Sequence, residues 1–203
     1  MKLYFSPGAC SLSPHIILRE AGLDHSIEKT DLRNKLTAGG VDYKTINPKG
    51  SVPALQLEDG SVLTEGSVIV QYLADLVPAS QLAPAPGTMA RYRLMETLNF
   101  ISAELHKGFS PLFNPATTEA AREAAVNNLK QKIGFIANQL GESDYLGGAQ
   151  FTVADAYLFV VLSWAALVKL PLTDWPAITA YLARVAARPA VRDAMLAEGL
   201  IKA

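Results

Sequence analysis

Apolar and polar positions alternate in short runs over the first third of the chain and then give way to long stretches with a helical repeat. Lys2–Phe5 reads as a strand, stopped by Pro7-Gly8. Ser11–Ala21 fits a helix, with Gly22 where a helix C-terminus favours positive φ. His25–Thr30 alternates as a second strand, and the three pieces together predict a βαβ unit. Ala54–Leu57 and Ser61–Thr64 flank Asp59-Gly60, a tight-turn pair that predicts a hairpin. Glu65–Leu76 reads as a helix with Val68, Ile69, Tyr72, Leu73 and Leu76 on one face.

Pro78–Thr88, with three prolines and a glycine, carries no periodic segment and reads as a linker. Beyond it, Leu94, Leu98, Ile101 and Leu105 form one helical stripe, and Val126, Leu129, Ile133, Ile136 and Leu140 form another. Thr152–Val168 is apolar nearly all round, as a buried central helix would be. Trp175–Ala187 and Ala190–Ala197 complete the set, separated by Pro189. The expected architecture is α/β plus all-α: a small α/β domain over residues 1–78, a linker over 79–88 and an all-helical domain over 89–203. No stripe is left over that the core of a single chain would not use.

Composition narrows the function classes. Half of the 203 residues are apolar and 18% are charged, an ordinary globular balance. With 18 basic and 19 acidic side chains, bulk electrostatics gives no reason to expect a nucleic acid or a membrane surface as partner. One cysteine forms no internal disulfide, which suits a reducing compartment. The N-terminus lacks the pattern of a targeting peptide, and the apolar run Ala156–Val168 is shorter than the roughly 20 residues of a membrane span. A cytoplasmic protein is expected.

Cys10 is the first candidate for chemistry. It follows the Pro7-Gly8-Ala9 turn and precedes a helix, where unpaired N–H groups and the helix dipole lower a thiol pKa from about 8.5. The same place suits another molecule's thiolate. Cys10-Ser11-Leu12-Ser13 has the outline of a Cys-x-x-Cys motif whose second thiol is serine, so a mixed disulfide could form there but not be resolved internally. The competing reading is a small buried hydrophobe. In Asn47-Pro48-Lys49-Gly50-Ser51-Val52-Pro53-Ala54, a cis bond before Pro53 would leave the Val52 backbone open to a peptide-like ligand, although a turn entering the hairpin explains the prolines equally well.

Thr64-Glu65-Gly66-Ser67 opens a helix directly after a strand. Such a start can take a carboxylate, and Glu65 could hold an amine, yet the residue types alone favour simple N-capping by Thr64. On the helix that carries the leucine stripe, Asn99, Ser102, Ala103, His106 and Ser110 share a second, offset face that reads as a cleft wall. His106 there could stabilise a thiolate or donate a proton near neutral pH; the alternative is a surface histidine. Thr152-Val153-Ala154-Asp155 matches a capping box, which assigns Asp155 to folding. The three histidines are scattered, so no metal site is expected.

Pro-Gly-Ala-Cys-Ser at 7–11, Asn-Pro-Lys-Gly-x-Val-Pro-Ala-Leu at 47–55, Leu-Thr-Glu-Gly at 63–66, Glu-Leu-His-Lys at 104–107 and Phe-Thr-Val-Ala-Asp-Ala-Tyr-Leu-Phe at 151–159 occur in an order and spacing that resembles the glutathione S-transferase family, specifically its bacterial beta class. The resemblance covers essentially the whole chain. It implies a thioredoxin-like N-terminal domain, an all-helical C-terminal domain and a homodimer with glutathione held between the domains. It also implies that Ala9 and Cys10 lie beside the glutathione sulfur and that Val52, before a cis Pro53, pairs with the cysteinyl part of the tripeptide. Glu65 and the N–H of Gly66 would hold the γ-glutamyl end, and Lys35 a carboxylate. Asn99, Ala103, Glu104 and His106 match positions around that site, with Glu104 reaching it across the dimer.

Phe109, Phe113 and Trp164 are the expected wall of a pocket for a hydrophobic electrophile. Relatives outside this class carry serine at the position of Gly66, so one hydroxyl contact is absent. Relatives elsewhere also activate the thiol with tyrosine or serine, which keeps Tyr4 and Ser11 as alternatives to Cys10. The implied activity is conjugation of glutathione to hydrophobic electrophiles, as in detoxification, with thiol-disulfide exchange or peroxide reduction through Cys10. The alternatives are a glutathione-dependent reductive dehalogenase or disulfide reductase, and a docking module without catalysis.

Overall fold

The computed structural model describes residues 1–202 and divides into two compact units. The first comprises residues 1–83 together with the tail from Ala187 onward; the second runs from Pro84 to Ala186.

In the first unit, β1 (Lys2–Phe5) leads through α1 (Leu12–Glu20) to β2 (Ser26–Asp31), which lies parallel to β1 and completes the expected βαβ unit. A two-residue strand, β3 (Leu36–Thr37), pairs antiparallel to β2 and had no counterpart in the sequence reading. β4 (Ala54–Gln56) and β5 (Val62–Thr64) form the hairpin, closed where Gly60 takes φ +84° and the N–H of Leu57 donates to the carbonyl of Ser61 at 2.8 Å. The mixed sheet runs β3-β2-β1-β4-β5. Leu3, Ile16, Ile17, Leu55, Ile69 and Leu73 are fully buried and form the core of this unit.

α2 (Gly66–Leu76) buries Ile69, Val70, Leu73 and Ala74. This corrects the expected face, because Val68 and Leu76 stay exposed. The apolar positions of α2 cover more than one side of the helix, and only the side that includes Val70 and Ala74 is buried in the unit.

The second unit is built from helices α3 (Met89–Phe100), α4 (Lys107–Phe113), α5 (Glu119–Leu140), α6 (Val153–Leu167) and α7 (Pro176–Ala186). A π-helical segment, Ile101–His106, joins α3 to α4. Both leucine stripes are buried apart from the half-buried Val126, and α6 is buried on nearly every side. The capping box forms as expected: the Thr152 backbone N–H and hydroxyl both donate to Oδ2 of Asp155 at 2.9 Å. Asp155 Oδ1 also accepts the Leu146 N–H at 2.9 Å, so this one carboxylate ties the preceding loop to the start of α6.

α8 (Pro189–Ala197) belongs to the first unit, where it packs against α1. This corrects the expectation of one helical domain over 89–203. The Arg188 guanidinium forms a two-pronged pair with Glu20, at 2.6 and 2.9 Å, and so fastens the tail to the end of α1. Pro189 is the first residue of α8, a position where its missing N–H costs nothing, and not merely a separator.

Candidate functional site

The first unit gathers most of the residues singled out around Cys10. Cys10 lies two positions ahead of α1, in a turn where the N–H of Leu12 donates to the Ala9 carbonyl at 2.9 Å. Its thiol donates to the carbonyl of Val52 at 3.2 Å, across a gap of 42 residues in sequence. The Val52–Pro53 bond is cis. Val52, Tyr4, Tyr43 and Ala54 form a small buried cluster on which Ala9 packs. Tyr43 donates to the Ser51 carbonyl at 2.8 Å, and burial pushes its phenol up to about 12.

Pro53 faces the start of α2. A Cβ added to Gly66 would lie 3.6 Å from Cγ of Pro53, in ordinary contact. Glu65, at the N-cap of α2, has φ +70° and ψ +110° and gives the helix no side-chain cap. The expected cap from Thr64 does not form either, since its hydroxyl accepts instead from Nζ of Lys49 at 3.0 Å. The helix start is therefore left without the side-chain oxygen that usually satisfies it. Lys49 also reaches the Glu65 carboxylate, at 2.5 Å. Lys35, a second non-glycine residue at positive φ, donates through Nζ to the Gly50 carbonyl at 2.8 Å. Non-glycine residues in this region cost about 1–3 kcal/mol each and cluster at functional sites.

The two alternative activating groups are committed elsewhere. The Ser11 hydroxyl is buried, accepting from the Ser6 N–H at 3.2 Å and donating to the Ser6 carbonyl at 3.3 Å. Tyr4 is also buried, donates to Oε1 of Gln56 at 3.1 Å, and has its phenol raised by burial.

In the second unit, His106 is half-buried, with Nδ1 2.7 Å from the Tyr157 hydroxyl and its ring edge-on to Trp164 at 4.9 Å between centroids. Burial, and secondarily the charge of Lys107, push it down to about 4. Near neutral pH the ring is thus uncharged, so it can reach a thiolate with a hydrogen bond but brings it no positive charge. Phe109, Phe113 and Trp164 do come together, with both phenylalanine rings edge-on to the indole. Phe109 is fully buried, however, so only Phe113 and the rim of Trp164 offer surface. Asn99 and Ala103 are exposed on the helix face expected of them. Glu104 pairs with Lys132 of α5 at 2.8 Å.

Lys49 and Tyr157 belong to the site although neither is among the candidates that the sequence pattern marks. Lys49 was in view inside the Pro-rich motif, where a cation so near Glu65 was the available signal. Tyr157 is close to the apolar centre of α6, and nothing in its spacing sets it apart from core.

Comparison with known proteins decides the family. Residues 8–76 match the glutathione S-transferase N-terminal domain and residues 100–189 the glutathione S-transferase C-terminal domain. Glutathione S-transferase GstA of Escherichia coli O157:H7 is 49% identical over 200 residues, covering 98% of this chain and all of that protein. The chain belongs to the glutathione S-transferase family.

Its solved relatives carry the likeness through the whole fold of the family, a thioredoxin-like mixed sheet with a helical unit. A bacterial beta class glutathione S-transferase from Sphingomonas chungbukensis is 45% identical with a TM-score of 0.96, covering 99% of this chain and 100% of that one. A sphingomonad glutathione S-transferase complexed with glutathione is 48% identical with a TM-score of 0.95, again covering 99% of this chain and 100% of that one. Among the described residues, no helix is long and apolar enough to cross a membrane, and no three of His, Cys, Asp and Glu are grouped to hold a metal ion.

Proposed function

We propose that the protein is a glutathione transferase that binds reduced glutathione along Cys10, Val52, Glu65 and Gly66 and adds its thiolate to hydrophobic electrophiles. The observation that carries this reading is the start of α2. Glu65 is held at positive φ and gives the helix no cap, next to a cis Val52–Pro53 backbone whose carbonyl already takes the Cys10 thiol. Glutathione has an ammonium for Glu65, a carboxylate for the uncapped N–H groups, and a peptide bond for the Val52 backbone. Lys49 holds the Glu65 carboxylate in the structure, so an incoming ammonium exchanges one cation for another at the same acceptor. Lys35 stands at Gly50 to meet a second carboxylate.

In the chemical step the glutathione sulfur attacks the electrophilic carbon, the leaving group departs with its bonding pair, and the thiol proton passes to solvent. Cys10 supplies a hydrogen-bonding thiol beside that sulfur. The second reaction open to Cys10 is exchange with oxidised glutathione. Its thiolate attacks one sulfur, the disulfide breaks, and reduced glutathione leaves, with a mixed disulfide on Cys10. With one cysteine in the chain, a second glutathione must resolve that product. In the second unit, Phe113 and the Trp164 rim offer an apolar surface for the electrophile, and the neutral His106 offers a ring N–H donor.

A homodimer belongs to this reading. Val68 and Leu76 on α2 are exposed, and Met89, Tyr92 and Met95 on α3 form an exposed stripe at helical spacing. Among the described residues none buries these apolar faces, whereas the sequence reading expects the chain's own core to account for every stripe. A cytoplasmic location suits the single thiol.

Conjugation of reduced glutathione to an activated aryl chloride, with Cys10→Ala beside the native protein, tests the reading. The transferase reading expects Cys10→Ala to keep part of the conjugation and to lose the adduct of one glutathione seen by mass spectrometry after treatment with oxidised glutathione. Loss of conjugation in step with the adduct would favour obligatory disulfide chemistry. No conjugation by the native protein would favour a docking module.

A further inference from the structure

The end of α8 reaches back to the turn that carries Cys10. The side chain of Glu198, which caps α8, is fully buried, and each of its carboxylate oxygens has a donor. Oε1 lies 2.9 Å from Nδ1 of His15, and Oε2 accepts the N–H of Gly8 at 3.0 Å. His15 is also fully buried, and Nε–H of Arg19 donates to its Nε2 at 3.1 Å. Arg19 thereby fixes the tautomer. Nε2 is the acceptor, so Nδ1 carries the proton that goes to Glu198.

The partner at the other oxygen matters more for chemistry. Gly8 sits two residues before Cys10 with φ +70°, a conformation that side-chain-bearing residues rarely adopt. The tail closes on it from a second direction, because a Cβ at position 8 would lie 3.3 Å from Cδ2 of Leu200. A buried carboxylate is a poor device for stability alone, since desolvation offsets most of what its partners return. What this one adds is a fixed direction for one N–H in the Pro7-Gly8-Ala9-Cys10 turn.

We propose that Glu198, oriented by His15, is a positioning residue for Cys10. By holding the Gly8 N–H it fixes the turn so that the thiol stays ahead of the start of α1. Neither Glu198 nor His15 touches the thiol. The effect passes through the backbone of residues 8–10. The inference rests on the reading of Cys10 as the thiol that faces glutathione, but its test needs no glutathione, so the two can fail separately.

Cys10 is the sole cysteine of the chain, so alkylation by iodoacetamide reads this thiol alone. In Glu198→Gln the amide oxygen can serve only one of the two donors. The expected result on the reduced, full-length protein is a pH midpoint of alkylation raised by about half a unit, or a rate near neutrality lowered about threefold, because the thiolate leaves the helix N-terminus. A lowered midpoint would mean that Glu198 acts only as a nearby negative charge, and an unchanged midpoint with a lower Tm would mean a structural role only; either overturns the proposal. His15→Asn, which keeps a donor near the Nδ1 position, should preserve the midpoint, whereas His15→Leu should raise it as Glu198→Gln does. Glu20→Gln loosens the tail at Arg188 without touching Gly8, and it should lower Tm while leaving the midpoint in place. A midpoint shift in Glu20→Gln equal to that of Glu198→Gln would overturn the assignment to the Gly8 contact.

Discussion

The hydroxyl of Tyr157 lies 2.7 Å from Nδ1 of His106, and burial holds that imidazole down to about 4. A hydroxyl that donates to Nδ1 leaves Nε2–H as the donor of the ring. Tyr157→Phe removes this restraint and frees the ring to take either tautomer. The KM for the electrophile should rise by about three- to tenfold with a smaller change in kcat, the equivalent of about 1 kcal/mol for one hydrogen bond. Nitrogen chemical shifts of His106 should report the Nε2–H tautomer in the native protein and a mixture in the variant. The same depressed value sets a pH window for stability. His106 titrates near 6.5 when unfolded and near 4 when folded, so the unfolded chain binds the proton first. Stability is then fully present above about pH 6.5 and is lost as pH falls toward 4, by up to about 3 kcal/mol. Denaturant melts at pH 7 and pH 5 should show this loss, and His106→Phe should reduce it.

Glu65 separates function from stability. Its backbone is in a region that glycine adopts readily and other residues do not. Its ion pair with Lys49 is largely exposed and adds little. Glu65→Gly should therefore melt no lower than the native protein, while glutathione affinity falls by about tenfold or more with the loss of a charge-assisted contact to the ammonium. Calorimetric melting and a glutathione titration on the same sample check both halves.

Asp155 shows the opposite pattern. Its carboxylate accepts from the Leu146 N–H and from both donors of Thr152, all buried or partly buried. Asp155→Ala leaves these donors without an acceptor and should destabilise the second unit by about 3 kcal/mol. Both tryptophans, Trp164 and Trp175, lie in that unit, so fluorescence during denaturation reads the effect directly.

The exposed apolar stripe of α3 gives a test of the homodimer. Tyr92→Glu places a charge in the middle of Met89, Tyr92 and Met95. Sedimentation should show a dimer for the native protein and a shift to monomer for the variant at the same micromolar concentration.

Much of the fold was legible because periodicity is local. The βαβ unit, the Asp59-Gly60 hairpin, the leucine stripes and the Thr152–Asp155 capping box all follow from residues within one or two turns of each other. The two-residue β3 was not legible, since Leu36–Thr37 is too short to show a period. The destination of α8 was hidden for another reason. Val191 and Ala194 bury one face in the same pattern whichever unit receives them, and the choice rests on Arg188 meeting Glu20 and Glu198 meeting His15 far away in sequence. The site divides in the same way. Cys10 before a helix and Glu65 at the start of another could be marked as candidates from their neighbours, but the contact of Cys10 with Val52 is a product of the sheet. The displacement of the Thr64 cap by Lys49, and the commitment of Ser11 to Ser6, depend on side-chain directions that the residue types leave open.

In the proposed complex the surface formed by Cys10, Val52, Glu65 and Gly66 holds reduced glutathione, and calorimetric titration of reduced glutathione into the reduced protein is the decisive experiment. Saturable heat with about one glutathione per chain, weakened by about tenfold or more in Glu65→Gly, is the expected result. Absence of heat from a folded sample at millimolar glutathione, or affinity unchanged by Glu65→Gly, would contradict it.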